Sequence, residues 1–194
     1  MRLRLVTPDK DRLPAFVDAL ERGWSPDNLR GEAAAREALA RIAEDADAFL
    51  AHADDPEGRA GNVTLPDGAT VPRLPGLYRW LWDGEFCGLI GLRWNNDGPQ
   101  LPAYVLGHVG YSVVPWKRGR GYATRALAMI LPMARARGLP YIELTTDEDN
   151  IASQKVIVAN GGRLLGAFPK PQSHRGAPSL KFRIDLDSRA FNGQ

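Results

Sequence analysis

Val109-Gly110-Tyr111-Ser112-Val113-Val114 leads through Pro115 into Lys117-Arg118-Gly119-Arg120-Gly121-Tyr122-Ala123-Thr124. The first run, from His108 to Val114, reads as a strand that Pro115 ends. The second opens a helix. Ala123, Ala126, Leu127, Ile130, Leu131 and Ala134 recur at helical spacing until Gly138 and Pro140 stop the pattern. Glycines at a helix entrance let the backbone approach a ligand closely. Free amides in the first turn, aligned with the helix dipole, make an anion site. Lys117, Arg118, Arg120 and Arg125 add positive charge beside it. A pyrophosphate is the natural ligand of such a loop.

Two familiar phosphate loops fit less well. The mononucleotide loop needs Gly-Lys-Ser/Thr after a longer glycine-spaced run, which is absent. The dinucleotide fingerprint needs a third glycine where Thr124 stands, and its glycines follow the strand directly, whereas Pro115 to Arg118 intervene here. Asp147, after the next strand, could imitate the ribose-binding acid of that fingerprint. A nicotinamide-nucleotide domain would also need a second nucleotide-binding half, and the chain is short for one.

Downstream, Tyr141 to Thr146 reads as a strand, Asn150 to Ala159 as a short helix ended by Gly161-Gly162, and Arg163 to Phe168 and Leu180 to Leu186 as closing strands. Upstream, residues 2–6 alternate Arg with apolar side chains, and Leu13, Phe16, Val17 and Leu20 have helical spacing. Gly31 to Ala53, rich in Ala, Glu and Arg, is a second helical stretch. Residues 54–77 carry repeated Pro and Gly, and Asn62 to Leu65 and Ala69 to Val71 flank Pro66-Asp67-Gly68 as a small inserted hairpin. Tyr78 to Trp82, Asp83-Gly84 and Glu85 to Trp94 form a longer hairpin, followed by a polar loop from Asn95 to Pro102. The order is β-α-α, three strands, then α-β-α-β-β, a mixed α/β arrangement in a single domain over residues 1–194.

The composition agrees. The chain has 194 residues, 44% hydrophobic and 25% charged, as expected of one well-cored globular domain. Lys and Arg number 25 against 23 Asp and Glu, a net charge of +2, so no global excess drives nucleic-acid or anionic-membrane binding. The single cysteine, Cys87, excludes an internal disulfide framework and a Cys-rich zinc site. Charges interrupt the first ten residues before a signal-like apolar run can form. The most apolar later stretch, Ala126 to Ala136, contains Pro132 and is far shorter than the ~20 residues of a membrane span. No metal and no membrane are expected, and the cytoplasm is the expected compartment.

With both motifs in view, the chain resembles the GNAT superfamily of acyl-CoA-dependent N-acetyltransferases. Arg118-Gly119-Arg120-Gly121-Tyr122-Ala123 fits that family's Gln/Arg-x-x-Gly-x-Gly/Ala loop, which binds the pyrophosphate of coenzyme A. Asn150-Ile151-Ala152-Ser153, followed by Asn160-Gly161-Gly162, is similar to its Asn-x-x-Ser helix and closing glycine, in the family's order. The resemblance implies a GNAT fold, with a mixed central sheet of about six to seven strands flanked by helices. It implies acetyl-CoA as co-substrate and direct attack of an amine on the thioester. By the same resemblance, backbone amides near Ser112 and Val113 hold the pantetheine arm and polarise the carbonyl. The amides of Arg118, Gly119, Arg120, Gly121, Tyr122, Ala123 and Thr124 hold the pyrophosphate. Asn150 hydrogen-bonds the cofactor arm with Ser153 assisting; Asn150 equally suits a helix N-cap, and the two roles are compatible.

The chemistry needs a neutral amine, donors for the developing oxyanion and a proton for the departing thiolate. Many family members carry a proton-donating Tyr in the second-motif helix, and the matching position here is Ile157. Tyr111 and Tyr122 are nearby in sequence, with Tyr122 expected to pack at the helix start. A free thiol has a pKa of about 8.5, so its thiolate can also leave with solvent help. His108 is the first candidate base, because its ring titrates near neutrality and it begins the central strand; a structural histidine is the competing reading. Glu143 is the second, since an acid inside a buried strand needs a reason; an ion pair with an arginine is its competing reading. Cys87 is expected to be a buried structural thiol.

Tyr78, Trp80 and Trp82 share one strand face and read as core before acceptor pocket. The basic stretch from Arg163 to Arg183, with Lys170, His174, Arg175 and Lys181, reads as a solvated face in the absence of aromatic-interleaved RNA motifs. The expected activity is acetyl transfer to a primary amine on a small molecule or peptide, with no nucleic-acid partner. A non-catalytic acyl-CoA-binding module is the alternative that Ile157 raises. GNAT enzymes are often homodimers, and no feature of this sequence decides that point.

Overall fold

The computed structural model describes residues 2–28, 30–64, 68–169 and 178–186. Ten strands and five α-helices follow in the order β1 (Arg4–Val6), α1 (Leu13–Glu21), α2 (Glu32–Glu44), α3 (Ala46–Ala51), β2 (Asp54–Asp55), β3 (Asn62–Thr64), β4 (Thr70–Pro72), β5 (Gly76–Trp82), β6 (Phe86–Arg93), β7 (Val109–Val113), α4 (Tyr122–Ala136), β8 (Tyr141–Asp147), α5 (Ile151–Val158), β9 (Arg163–Pro169) and β10 (Pro178–Asp185) among these residues. The expected helix from Gly31 to Ala53 is broken in two. Asp45 is extended, and its carboxylate accepts the Ala48 N–H at 2.9 Å. A residue that favours caps stops one helix there and starts the next. The small hairpin of the insertion pairs Val63 with Val71, and its tip at Pro66-Asp67 lies outside the described residues.

β1, β5, β6 and β7 form one antiparallel sheet in that order, with β2 on β5; β8, β10 and β9 form a second. Period-2 alternation sorts the side chains of the first sheet onto two faces. Leu81, Ile90, Leu92, Val109 and Val113 pack with Ala126, Leu127, Ile130 and Ala134 of α4, and Ile142 and Leu144 of β8 join the same core. Trp80 faces the other way, stacked on Phe16 of α1 at 5.1 Å and set edge-on to Phe86 at 5.8 Å. It is fully buried, so the aromatic stripe of β5 is core here, with Trp82 at its edge under Arg12. α1 and α2 thus cover one face and α4 the other, and the crossover through α4 brings β8 alongside β7.

Candidate functional site

The sheet opens where its hydrogen bonds run out. Val114 N–H donates to the Cys87 carbonyl at 3.0 Å, and Arg93 N–H donates to the His108 carbonyl at 2.8 Å. Antiparallel ladders alternate, so Gly110, Ser112 and Val114 turn their peptide groups to β6, and Tyr111 and Val113 turn theirs to the other edge. On that edge His108 N–H meets the Glu143 carbonyl at 2.7 Å. Beyond this join β7 and β8 part, leaving a cleft of about 180 Å³ lined by Gly110, Tyr111, Thr146, Asp147, Asn150 and Ser153 among others.

The glycine loop lies at the far end of β7. Gly119 and Gly121 have φ of 75° and 71°, left-handed values that explain glycine at both positions. A β-carbon at either would meet nothing within 4 Å, so the loop surface is open. Gly121 caps α4 with no side-chain hydrogen bond, and the amides of the first helical turn have no acceptor within the helix. Arg118 fixes the loop to the strand, its Nε donating to the Val113 carbonyl at 3.1 Å. Arg125 reaches back to the Arg120 carbonyl at 3.0 Å. Ala123 and Thr124, in the same turn, are half-buried.

Across the cleft, Asn150 caps α5 by accepting the Ser153 N–H at 3.0 Å, which leaves its own amide hydrogens to donate. Ser153 Oγ stands 2.9 Å from the Tyr111 hydroxyl. Burial raises the Tyr111 pKa, the hydrogen bond with Ser153 opposing it, so the phenol keeps its proton. Ile157 also lines the cleft, buried against Gly162, where a β-carbon would collide with it. Asn160 ties the two helices together, donating to the Thr124 carbonyl at 3.1 Å. The Thr146 hydroxyl is buried in the cleft wall without a hydrogen-bond partner among the described residues. An elongated ligand with an anionic end and polar amides along its length fits this set: amides at the loop, an open strand edge, and a side-chain hydroxyl awaiting a partner.

Several expectations are corrected by the geometry. His108 is 1% exposed and both ring nitrogens are engaged: Nδ1 accepts the Glu143 N–H at 3.0 Å, and Nε2 donates to the Pro99 carbonyl at 3.1 Å. Burial lowers its pKa, and no lone pair is left for a substrate proton. The ring buttresses the β7–β8 join. Glu143 is held by Arg183 at 2.6 Å and by Lys181 at 3.4 Å. Partial burial acts to raise its pKa, but the two cations outweigh it and hold the carboxyl below its ordinary value, which makes a poor base. The ion-pair reading of Glu143 is the one the geometry supports. Ser112 turns its amide to β6, and its Oγ accepts from Trp24 Nε1 at 3.0 Å and donates to the Ser25 carbonyl at 3.3 Å. Lys117 is not part of the loop's charge, since Asp83 and Glu85 hold it at 3.1 Å and 2.7 Å. Tyr122 packs at the helix start with its hydroxyl on Asp83. Of the basic stretch, Arg163 pairs with Asp185 and Arg183 with Glu143, while Lys170, His174 and Arg175 lie outside the described residues.

Thr146 and Asn28 enter the cleft wall without any sequence signal. Thr146 is one polar residue in a buried strand, and Asn28 is brought there by the loop after α1, which Trp24 and Ser25 pin to Ser112.

Comparison with known proteins agrees with this architecture. Residues 2–163 match the family model described as the acetyltransferase (GNAT) domain. The chain therefore belongs to the GNAT acetyltransferase family. Among solved structures it is similar to the microcin C7 self-immunity acetyltransferase MccE in complex with acetyl-CoA and AMP, with TM-score 0.60 and 10% identity over 94% of this chain and 92% of that one. It is similar to RimL, the ribosomal L7/L12 alpha-N-protein acetyltransferase in complex with coenzyme A, with TM-score 0.63 and 14% identity over 96% and 95% of the two chains. A GNAT-family acetyltransferase from Bordetella pertussis gives TM-score 0.56 at 18% identity over 94% of each. No curated protein matches in sequence. No helix among the described residues is long and apolar enough to cross a membrane.

Proposed function

We propose that this acetyltransferase moves an acetyl group from acetyl-CoA directly to a primary amine, in the cytoplasm where that donor is supplied. The observation that carries the reading is the open edge of β7 with the Tyr111–Ser153 pair in one cleft, and the open glycine loop at the far end of that strand. Acetyl-CoA supplies the activated thioester. The amides from Gly119 to Thr124, with the Arg118, Arg120 and Arg125 side chains, bind its pyrophosphate, the Arg118 N–H being held by the Pro115 carbonyl at 3.3 Å. The amides of Tyr111 and Val113 donate to the arm and to the carbonyl oxygen where negative charge develops. Asn150 donates to the arm from the opposite wall. Tyr111 gives its proton to the departing sulfur, while the Ser153 hydroxyl donates to the phenol oxygen and stabilises the charge left there. Tyr111 thus supplies from the strand the hydroxyl that Ile157 lacks on the helix, which weakens the case for a non-catalytic binding module. With His108 and Glu143 engaged elsewhere, the amine enters neutral or passes its proton to solvent.

Calorimetric titration with acetyl-CoA and CoA tests the reading. Both bind the wild-type chain, and Gly121→Glu, which places a carboxylate in the anion site, abolishes binding without unfolding the protein. Absence of CoA binding by the wild type would sink the assignment. NADH binding in its place would return the nicotinamide reading.

A further inference from the structure

Arg93 ends β6 on the face that carries α1 and the loop after it. Its backbone pairs with His108, and the residue next along that face of β7 is Gly110. Gly110 lines the cleft and has no side chain. Arg93 Nη2 lies over it, 3.2 Å from the place a β-carbon would take. The guanidinium therefore occupies the notch that glycine leaves, on the face of the sheet opposite α4. Asn28 of the loop after α1 forms part of the same wall. That loop is held in place by the Trp24 and Ser25 bonds to Ser112.

Arg93 differs from the other cations set into the sheet. Arg79 holds Asp54, Arg183 holds Glu143 and Lys117 holds Asp83. The Arg93 guanidinium has no hydrogen bond or ion pair among the described residues. Asp27 acts on it only through space, and one Asp27 oxygen is taken by the Arg30 N–H at 3.0 Å. Arg93 is open to solvent, yet the surrounding protein desolvates it and lowers its pKa in spite of Asp27. An exposed arginine residue whose guanidinium makes no ion pair among the described residues and lies against the cleft-lining Gly110 is a receptor for a carboxylate or phosphate, which its planar fork can bind bidentately. The pyrophosphate loop begins beyond the opposite end of β7, so it does not need this cation.

We propose that Arg93 is the acceptor-recognition residue, binding an anionic group carried by the amine that is acetylated. This rests on the acetyltransferase reading above and narrows the acceptor to amines bearing a carboxylate or phosphate near the nitrogen.

The test compares glycine, β-alanine, O-phosphoethanolamine and ethanolamine as acceptors. The wild type favours one of the anionic amines over ethanolamine by at least about tenfold in kcat/KM, and whether carboxylate or phosphate leads identifies the group. Arg93→Ala removes that preference through the KM of the anionic amines, so that their kcat/KM relative to ethanolamine falls to about one, while acetyl-CoA affinity stays within about twofold; Arg93→Lys restores part of it. A second readout needs no turnover. Calorimetric titration of the CoA-saturated protein with N-acetylglycine, N-acetyl-β-alanine, N-acetyl-O-phosphoethanolamine and N-acetylethanolamine favours an anionic product in the wild type and none in Arg93→Ala. Equal handling of anionic and neutral ligands by the wild type in both assays, or a preference that survives in Arg93→Ala, overturns the inference while CoA binding and amine acetylation still stand. Loss of CoA binding in the wild type overturns both readings.

Discussion

The Tyr111 hydroxyl stands 2.9 Å from Ser153 Oγ and so joins the unpaired edge of β7 to the first turn of α5. In the mechanism proposed above, the proton donor and the group that stabilises its conjugate base come from separate motifs. Tyr111→Phe is expected to lower kcat by about 10²-fold, the low end for general acid catalysis because a thiolate can leave unaided. KM for acetyl-CoA stays within about twofold. Ser153→Ala lowers kcat by less, and the double variant falls no further than Tyr111→Phe. Steady-state kinetics of the three variants checks this, and a Tyr111→Phe enzyme with wild-type kcat would remove Tyr111 from the chemistry.

His108 makes stability depend on pH. The fold keeps it neutral and lowers its pKa, so below about pH 6.5 the unfolded chain binds more protons than the native one. Stability that is complete above that pH is lost as pH falls through it toward the folded-state pKa. Thermal melts should show Tm dropping between pH 7 and pH 5. His108→Gln should start lower at pH 7 and drop less. Its kcat at pH 8 stays within about threefold of wild type, as a residue that acts on the join and not on the substrate requires. A folded variant slowed a hundredfold or more would restore His108 as the base.

Asp83 closes a buried knot under the glycine loop. It binds Lys117, whose side chain is 9% exposed, and the Tyr122 hydroxyl. Burial acts to raise its pKa, but hydrogen bonds from Tyr122, Lys117 and Cys87 hold it well below the usual carboxylate range. Asp83→Ala leaves the ammonium to the exposed Glu85 alone and takes the acceptor from the Tyr122 hydroxyl, and should cost about 2 kcal/mol. Asp83→Ala with Lys117→Met should recover more than half of that loss. Urea unfolding measures both. Additive losses would mean the pair is not coupled.

Cys87 is fully buried, and burial pushes its thiol up to about 12. It should stay unreactive to a disulfide reagent at pH 8 in the native protein and react completely in denaturant. Cys87→Ala should retain turnover. Rapid labelling of the native chain, or an inactive but folded alanine variant, would reopen a covalent mechanism.

The strand–loop–helix unit from Val109 to Ala136 and the capped helix at Asn150 could be read in advance because each is specified locally. Glycine at Gly119 and Gly121 answers a left-handed backbone, and Asn150 answers an exposed helix end. The break at Asp45 was not readable, since the helix propensity on both sides outweighs one capping residue until the extended backbone at Asp45 is seen. His108 and Glu143 look like acid–base residues in one dimension. In three dimensions each is held by partners: the Glu143 N–H takes the ring lone pair of His108 and the Pro99 carbonyl accepts its other ring N–H, while Arg183 and Lys181 pair with the Glu143 carboxylate.

By itself, then, the sequence determined the main run of strands and helices and the glycine turn that opens α4, because periodicity, turn residues and helix-end amides act over a few positions. Only the tertiary structure decided which strand edge is left open, that Tyr111 meets Ser153 across 42 residues, and that Arg93 lies over Gly110. Those relations depend on strand register and on which charges find partners. Both are settled when the sheets pack, and no local spacing encodes them.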